Sequence, residues 1–356
     1  MKRFLLFTSF TLILFSFLAA GMGSGIVYVS TRTDNTITVW NYEEDFVEVL
    51  EFPGEEIIEK IEISQDGNML YFISCVKEGN IYIKSDFVAY DLKGKEIIGR
   101  IGLGDFGVTR VSCMETNIPN NELWLSGQNA IEALSYLVVI DLIRLSVKHA
   151  ISSDLVFQGI AFSKNHKKIY AAIYGPPDAS YYENIVEVYS TENYMLLKSI
   201  EVGEPGSLPG MITEGKKGNL IVSNRLSGEL AMIDPKTDEM ILTKQGLIGS
   251  LFMAADISRN YLFVTSTNEE VIGVFDLETL DHITDIDAPG NISYFEHIVI
   301  DRQNKYLIHF ANIYDSQNRV YNHQVEIINL DNFEIEKVLP MGEGRWWGWL
   351  SIQSND

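Results

Sequence analysis

Cysteine is scarce in this chain, with Cys75 and Cys113 the only two among 356 residues. Neither belongs to a Cys-x-x-Cys or Cys-x-x-Cys-His motif, so a redox pair or an attached haem has no sequence support. Basic residues are also few: 27 Lys and Arg stand against 49 Asp and Glu, giving a formal net charge of −22. A surface of that sign repels phosphate backbones, so no nucleic-acid partner is expected. The six histidines show no His-x-His or His-Glu-x-x-His spacing, and no metal or cofactor is expected. Gly-x-Ser-x-Gly and the phosphate-cradling Gly-x-x-x-x-Gly-Lys are both missing. No stretch beyond the first residues keeps a helical spacing of apolar side chains.

The N-terminus has its own character. Lys2 and Arg3 precede an uncharged apolar run from Phe4 to Ala20, followed by Gly21. This pattern predicts a cleaved secretory signal over residues 1–21 and a single domain over 22–356. The mature protein is then exported, periplasmic or extracellular, with no membrane insertion after cleavage. An oxidising compartment permits a disulfide between Cys75 and Cys113. Both cysteines also sit in apolar strand-like segments where buried thiols are common, so the sequence leaves the pairing open.

What the chain has in abundance is repetition. A short alternating strand closes on a small polar residue seven times: ITVWN to Asn41, VAYD to Asp91, VVID to Asp141, VEVYS to Ser190, LAMID to Asp234, GVFD to Asp276 and VEIIN to Asn329. Successive copies lie 42 (Asp234 to Asp276) to 53 (Asp276 to Asn329) residues apart, the length of a four-stranded propeller blade. Three more β-rich pieces accompany each copy, bounded by Gly, Asn, Asp or Pro. The fold class is therefore all-β, a seven-bladed β-propeller of four-stranded blades. The repeat enters in the phase of a second strand and ends, at Trp349 to Gln353, in the phase of a first strand. Pairing the C-terminal strand with the N-terminal blade closes the ring and removes free sheet edges.

The units resemble the YVTN-type propeller repeat. VYVST from Val27, LIVSN from Leu220 and LFVTS from Leu262 match its namesake strand, and VVID and AMID match the strand that follows. Its Ser-Pro-Asp-Gly turn survives best as Ser64-Gln65-Asp66-Gly67. The resemblance implies relatives among surface-layer and periplasmic binding propellers, noncatalytic subunits of amine dehydrogenases, lactonases and lyases. It specifies a fold and leaves the function open.

Propeller geometry puts the loop entering each first strand and the loop joining the second and third strands on one face, here called the upper face. The entry loops supply a candidate binding set: Glu59, Phe106, Arg110, Phe252, Phe295, His297, Arg345, Trp346, Trp347 and Trp349. The longest second-to-third-strand loops add Tyr82, Tyr174, Tyr181, Tyr182, Tyr314 and Tyr321. Aromatic rings with a few charges suit recognition of a protein partner or small ligand. The plain alternative is that Phe252, Phe295, Trp347 and Trp349 fill gaps between blades. The leading expectation is an exported noncatalytic propeller that binds a protein partner or ligand through the upper face, one form of it being an accessory subunit of a periplasmic complex. The competing one is a lactonase or lyase with His297, Glu296 and Arg110 as acid, base and charge at the channel mouth.

Overall fold

The computed structural model describes residues 25–352 except 32–33, 55, 80, 130–131, 178, 289–296, 302, 304, 316–319 and 345–348. The strands form seven four-stranded antiparallel sheets. We number these blades 1 to 7 along the chain. Blade 1 holds Ile26–Ser30, Thr36–Asn41 and Phe46–Glu51. The innermost strands of blades 2 to 7 are Ile57–Ile63, Arg110–Asn117, Phe157–Phe162, Pro209–Glu214, Ser250–Asp256 and Ile298–Ile300. Each contacts the innermost strand of the next blade, and the circuit is completed through Trp349–Ile352.

Closure is made as the repeat phase requires. Trp349–Ile352 pairs antiparallel with Ile26–Ser30, matching Ser30 with Trp349 and Val27 with Ile352. The closing strand also holds the neighbouring blade: the backbone N–H of Ile63 donates to Ser351 Oγ at 3.1 Å. Leu350 and Val27 are fully enclosed there, with Phe310 and Val325 of blade 7 packed in the same cluster.

The sevenfold polar residue has a local physical role. At the end of each third strand its side-chain oxygen accepts the backbone N–H two residues on, as in Asn41 with Glu43, Asp91 with Lys93 and Asp141 with Ile143. Ser190, Asp234, Asp276 and Asn329 do the same for Glu192, Lys236, Glu278 and Asp331. Four residues after each of the seven, a non-glycine residue takes the left-handed conformation: Asp45, Lys95, Leu145, Tyr194, Asp238, Leu280 and Phe333. That conformation costs about 1–2 kcal/mol for an L-residue. The side-chain-to-backbone bonds, worth about 1 kcal/mol each, offset it. The repeat signature is thus a turn that carries its own cap.

Burial explains the composition of the strands. Blades stack face to face, so their middle strands are covered on both sides. Leu220–Asn224 is buried at every position, and Leu134–Asp141 at five of eight. The outermost strands alternate with charge instead, as in Phe46–Glu51 and His282–Asp287, where one position in six is buried. Between those charges the outermost strands leave apolar side chains exposed, among them Phe46, Val47, Val49 and Ile283. Large rings fill the wedges between blades: Trp124 is fully enclosed against Phe162 and Tyr194, and Tyr42 meets Trp40 and Tyr306 edge to face.

Candidate functional site at the channel and the upper face

The innermost strands of blades 2 to 6 share a β-bulge near their upper ends, after Ile58, Val111, Phe157, Pro209 and Ser250. A bulge re-aims side chains beside it. Glu59, Lys60 and Phe252 occupy such positions, and all three are buried.

Two groups of upper-face residues come together. The first joins blades 2 and 3. The hydroxyl of Tyr82 donates to Glu59, and the Arg110 guanidinium lies 5.5 Å from the Tyr82 ring centroid. Lys77 Nζ stands 4.3 Å from that ring. Two cations over one ring whose hydroxyl is held by a buried carboxylate form a fixed, amphipathic surface. Tyr174 extends the group into blade 4. It packs edge to face on Tyr182 at 5.3 Å, and its hydroxyl feels the charges of Arg110 and Arg225. Gly175 permits this fold-back: its φ is +129°, and the Tyr181 carbonyl oxygen lies 2.5 Å from where a Cβ would be.

The second group joins blades 6, 7 and 1. His297 meets Phe252 edge to face at 5.2 Å, and its Nδ1 accepts the backbone N–H of Leu350 at 3.2 Å. Desolvation, with the charge of Lys60, pushes the imidazole down to about 3. The ring is therefore neutral at ordinary pH and acts as a fixed acceptor. Phe252 belongs to the core between blades. Phe106 is half-buried in a short 3-10 turn, Gly104–Phe106. Phe295, Glu296, Arg345, Trp346 and Trp347 lie outside the described residues; Trp349 is placed only as a backbone position of the closing strand.

Sequence reasoning did not single out what lies deeper. Glu62 and Glu115 occupy the innermost strands of blades 2 and 3. Desolvation lifts Glu115 to about 7; Glu62 is raised well above its ordinary value by desolvation and by Glu115. The only signal available was an acidic residue within a strand lining the channel. Near them, desolvation pushes the Cys113 thiol up to about 11. Cys75 and Cys113 are separate buried thiols. Among the described residues no group of three or more His, Cys, Asp or Glu is placed to hold a metal ion, and no helix is long and apolar enough to cross a membrane.

The chain matches no family model and no curated protein sequence. Solved structures do resemble it. Dihydro-heme d1 dehydrogenase NirN, in complex with DHE, superposes with a TM-score of 0.61 at 14% identity, over 90% of this chain and 74% of that one. A Bacteroides uniformis protein provisionally named a 6-phosphogluconolactonase gives 0.66 at 15% identity, over 90% and 99%. A chain of a mitotic checkpoint complex gives 0.63 at 12% identity, over 83% of each. Three proteins of such different description on one architecture establish the propeller and no shared activity.

Proposed function

We propose that this protein is an exported, noncatalytic propeller of the YVTN-repeat kind that binds a protein partner or ligand through its upper face, as an accessory subunit of a periplasmic complex. The observation that carries the reading is the joined group of Glu59, Tyr82, Arg110 and Lys77 on that face. Its Lys77 and Tyr82 sit on the blade 2 hairpin, which with that of blade 7 outgrows the rest. The blade 2 hairpin strands, Met69–Glu78 and Ile81–Asp91, run 10 and 11 residues, and those of blade 7, Tyr306–Asp315 and Val320–Asn329, run 10 each. In blade 5 the equivalent strands have 5 and 6. The extra length projects beyond the fourth strand of blade 2, whose pairing ends at Asp86 with Gly102. Insertions confined to one face of a repeat fold mark its binding face.

The enzyme reading draws less support. His297 is neutral, enclosed and engaged by a backbone donor, a poor acid or base near neutral pH. The propeller similarity to a protein named a lactonase concerns the fold alone.

The test is affinity purification of the tagged chain from its own source after cross-linking, alongside the double variant Tyr82→Ala, Arg110→Ala. A defined partner captured by the wild type and lost in the folded variant supports the proposal. Identical capture by both, or turnover of lactones by the purified chain, overturns it.

A further inference from the structure

The upper rim of blades 4 to 6 is knitted from loops that lie side by side. The carbonyl of Glu183, at the end of the blade 4 loop, accepts the backbone N–H of Leu208 at 3.0 Å. The Leu208 carbonyl accepts the N–H of Arg225 at 2.9 Å, and the Arg225 carbonyl accepts that of Gly249 at 2.9 Å. Leu226 N–H donates to the Ser207 carbonyl at 3.0 Å. Gly228, at φ +74°, brings the blade 5 turn against the next loop: a Cβ there would stand 3.0 Å from the Cα of Ile248. Bonding of this kind sets the shape of the rim before a partner arrives, which lowers the cost of ordering it.

Three large apolar side chains are exposed along that rim: Tyr181 at 53%, Leu226 at 48% and Ile248 at 45%. Single exposed apolar groups are ordinary, but a row of them on bonded neighbouring loops marks a contact surface. Its charge is one-sided. Asp154, Glu204, Glu269 and Glu270 are exposed on the same loops, and Arg225 is their one basic side chain among the described residues. None of the four carboxylates forms an ion pair with a described residue. Acid and apolar group are direct neighbours at Ile248, whose N–H donates to Glu269 Oε1 at 3.2 Å. The net charge of −22 adds a long-range field that draws a basic partner and repels an acidic one.

We infer that the rim bearing Tyr181, Leu226 and Ile248 docks a basic amphipathic segment of a protein partner. Apolar side chains of the segment cover the three exposed groups, and its Lys and Arg meet Glu204, Glu269 and their neighbours. The inference rests on the upper face being the binding face and adds the chemistry of what that face takes.

Anisotropy titration of the full chain with a labelled Leu–Lys peptide of about 14 residues, helical in its spacing, tests the assignment. A Leu–Glu peptide of the same spacing and an oligolysine without leucine are the comparisons. The Leu–Lys peptide is expected to saturate at one to one, with both others at least about tenfold weaker. Leu226→Ser combined with Ile248→Ser should weaken it by about tenfold or more, as loss of apolar anchors does. Glu204→Gln combined with Glu269→Gln should weaken it at low salt and flatten its salt dependence. Leu197→Ser, 50% exposed on the outermost strand of blade 4, leaves binding unchanged. Equal binding of oligolysine, preference for the Leu–Glu peptide, undiminished binding by the folded rim variants, or self-association of the chain through Leu226 and Ile248 would overturn the inference. A partner whose capture depends on Tyr82 and Arg110 but not on the rim overturns it too, while leaving the proposed function in place.

Discussion

The imidazole Nδ1 of His297 accepts the backbone N–H of Leu350 at 3.2 Å, tying the entry to blade 7 to the strand that closes the ring. Burial with Phe252 and the nearby charge of Lys60 keep the ring uncharged down to about pH 3.

That neutrality predicts an acid-side weakness. The folded value near 3 lies below the ordinary value of 6.5. Above pH 6.5 neither state is protonated and His297 has no pH effect. As pH falls from 6.5 towards 3, the unfolded chain takes a proton that the folded one refuses, and stability drops. His297→Gln should lower stability at pH 7 and flatten its decline between pH 6.5 and 4, measured by urea unfolding at fixed pH.

Glu115 predicts the opposite slope. Its folded value of about 7 lies above its ordinary 4.5. The group favours folding below pH 4.5, and that contribution is lost as pH rises towards 7. The charged neighbours in this field are Glu62 and Lys60, with the Cys113 thiol beside them. Glu115→Gln should match the wild type at pH 4 and exceed it at pH 8. A constant difference across that range would show that the carboxyl is not desolvated.

The ring closure predicts an unequal penalty for small core changes. Leu350 is 1% exposed on a strand that contributes only four residues. Leu350→Ala should cost about 2–5 kcal/mol, as buried leucine truncations do. Deleting residues 349–356 removes the innermost strand of blade 1 and bares the edge of Ile26–Ser30. The expected result is loss of cooperative unfolding together with self-association, seen by calorimetry and sedimentation.

The turn caps predict a modest, repeated effect. Asp276 Oδ1 accepts two backbone N–H groups, from Glu278 and Thr279. Asp276→Ala should destabilise by about 1 kcal/mol, and Asp276→Asn by less, since the amide oxygen still accepts. Equal losses from both would remove the capping explanation.

The thiols predict silence. Cys75 and Cys113 are 1% and 3% exposed. Neither should react with a maleimide at pH 7.5 until the chain unfolds, when both become available. Rapid modification of the native protein would contradict the burial described.

Much of the fold was legible because the repeat is written in short-range bonds. Asn41, Asp91, Asp141, Ser190, Asp234, Asp276 and Asn329 each cap an N–H only two residues away. Such a signal survives in a linear reading, and counting it leads to seven blades. The phase of the strands around it leads to closure by Trp349–Ile352. On the upper face, the reading placed Glu59 and Arg110 in one set, and Tyr82 joins them. Its alternative for Phe252, a filler between blades, is the place that side chain takes, but it could not foresee that His297 spends its nitrogen on Leu350.

The amino-acid sequence by itself determined the architecture, because each blade is specified by turns and alternation within some 50 residues, a range over which local hydrogen bonding and burial decide the conformation. Tertiary structure alone decided which side chains meet at the axis. Glu62 and Glu115 are far apart in the chain and hold equivalent places in successive blades. Only the curvature of the ring brings equivalent places together, and that curvature is set by how seven apolar blade faces pack, a sum over contacts that no single repeat encodes.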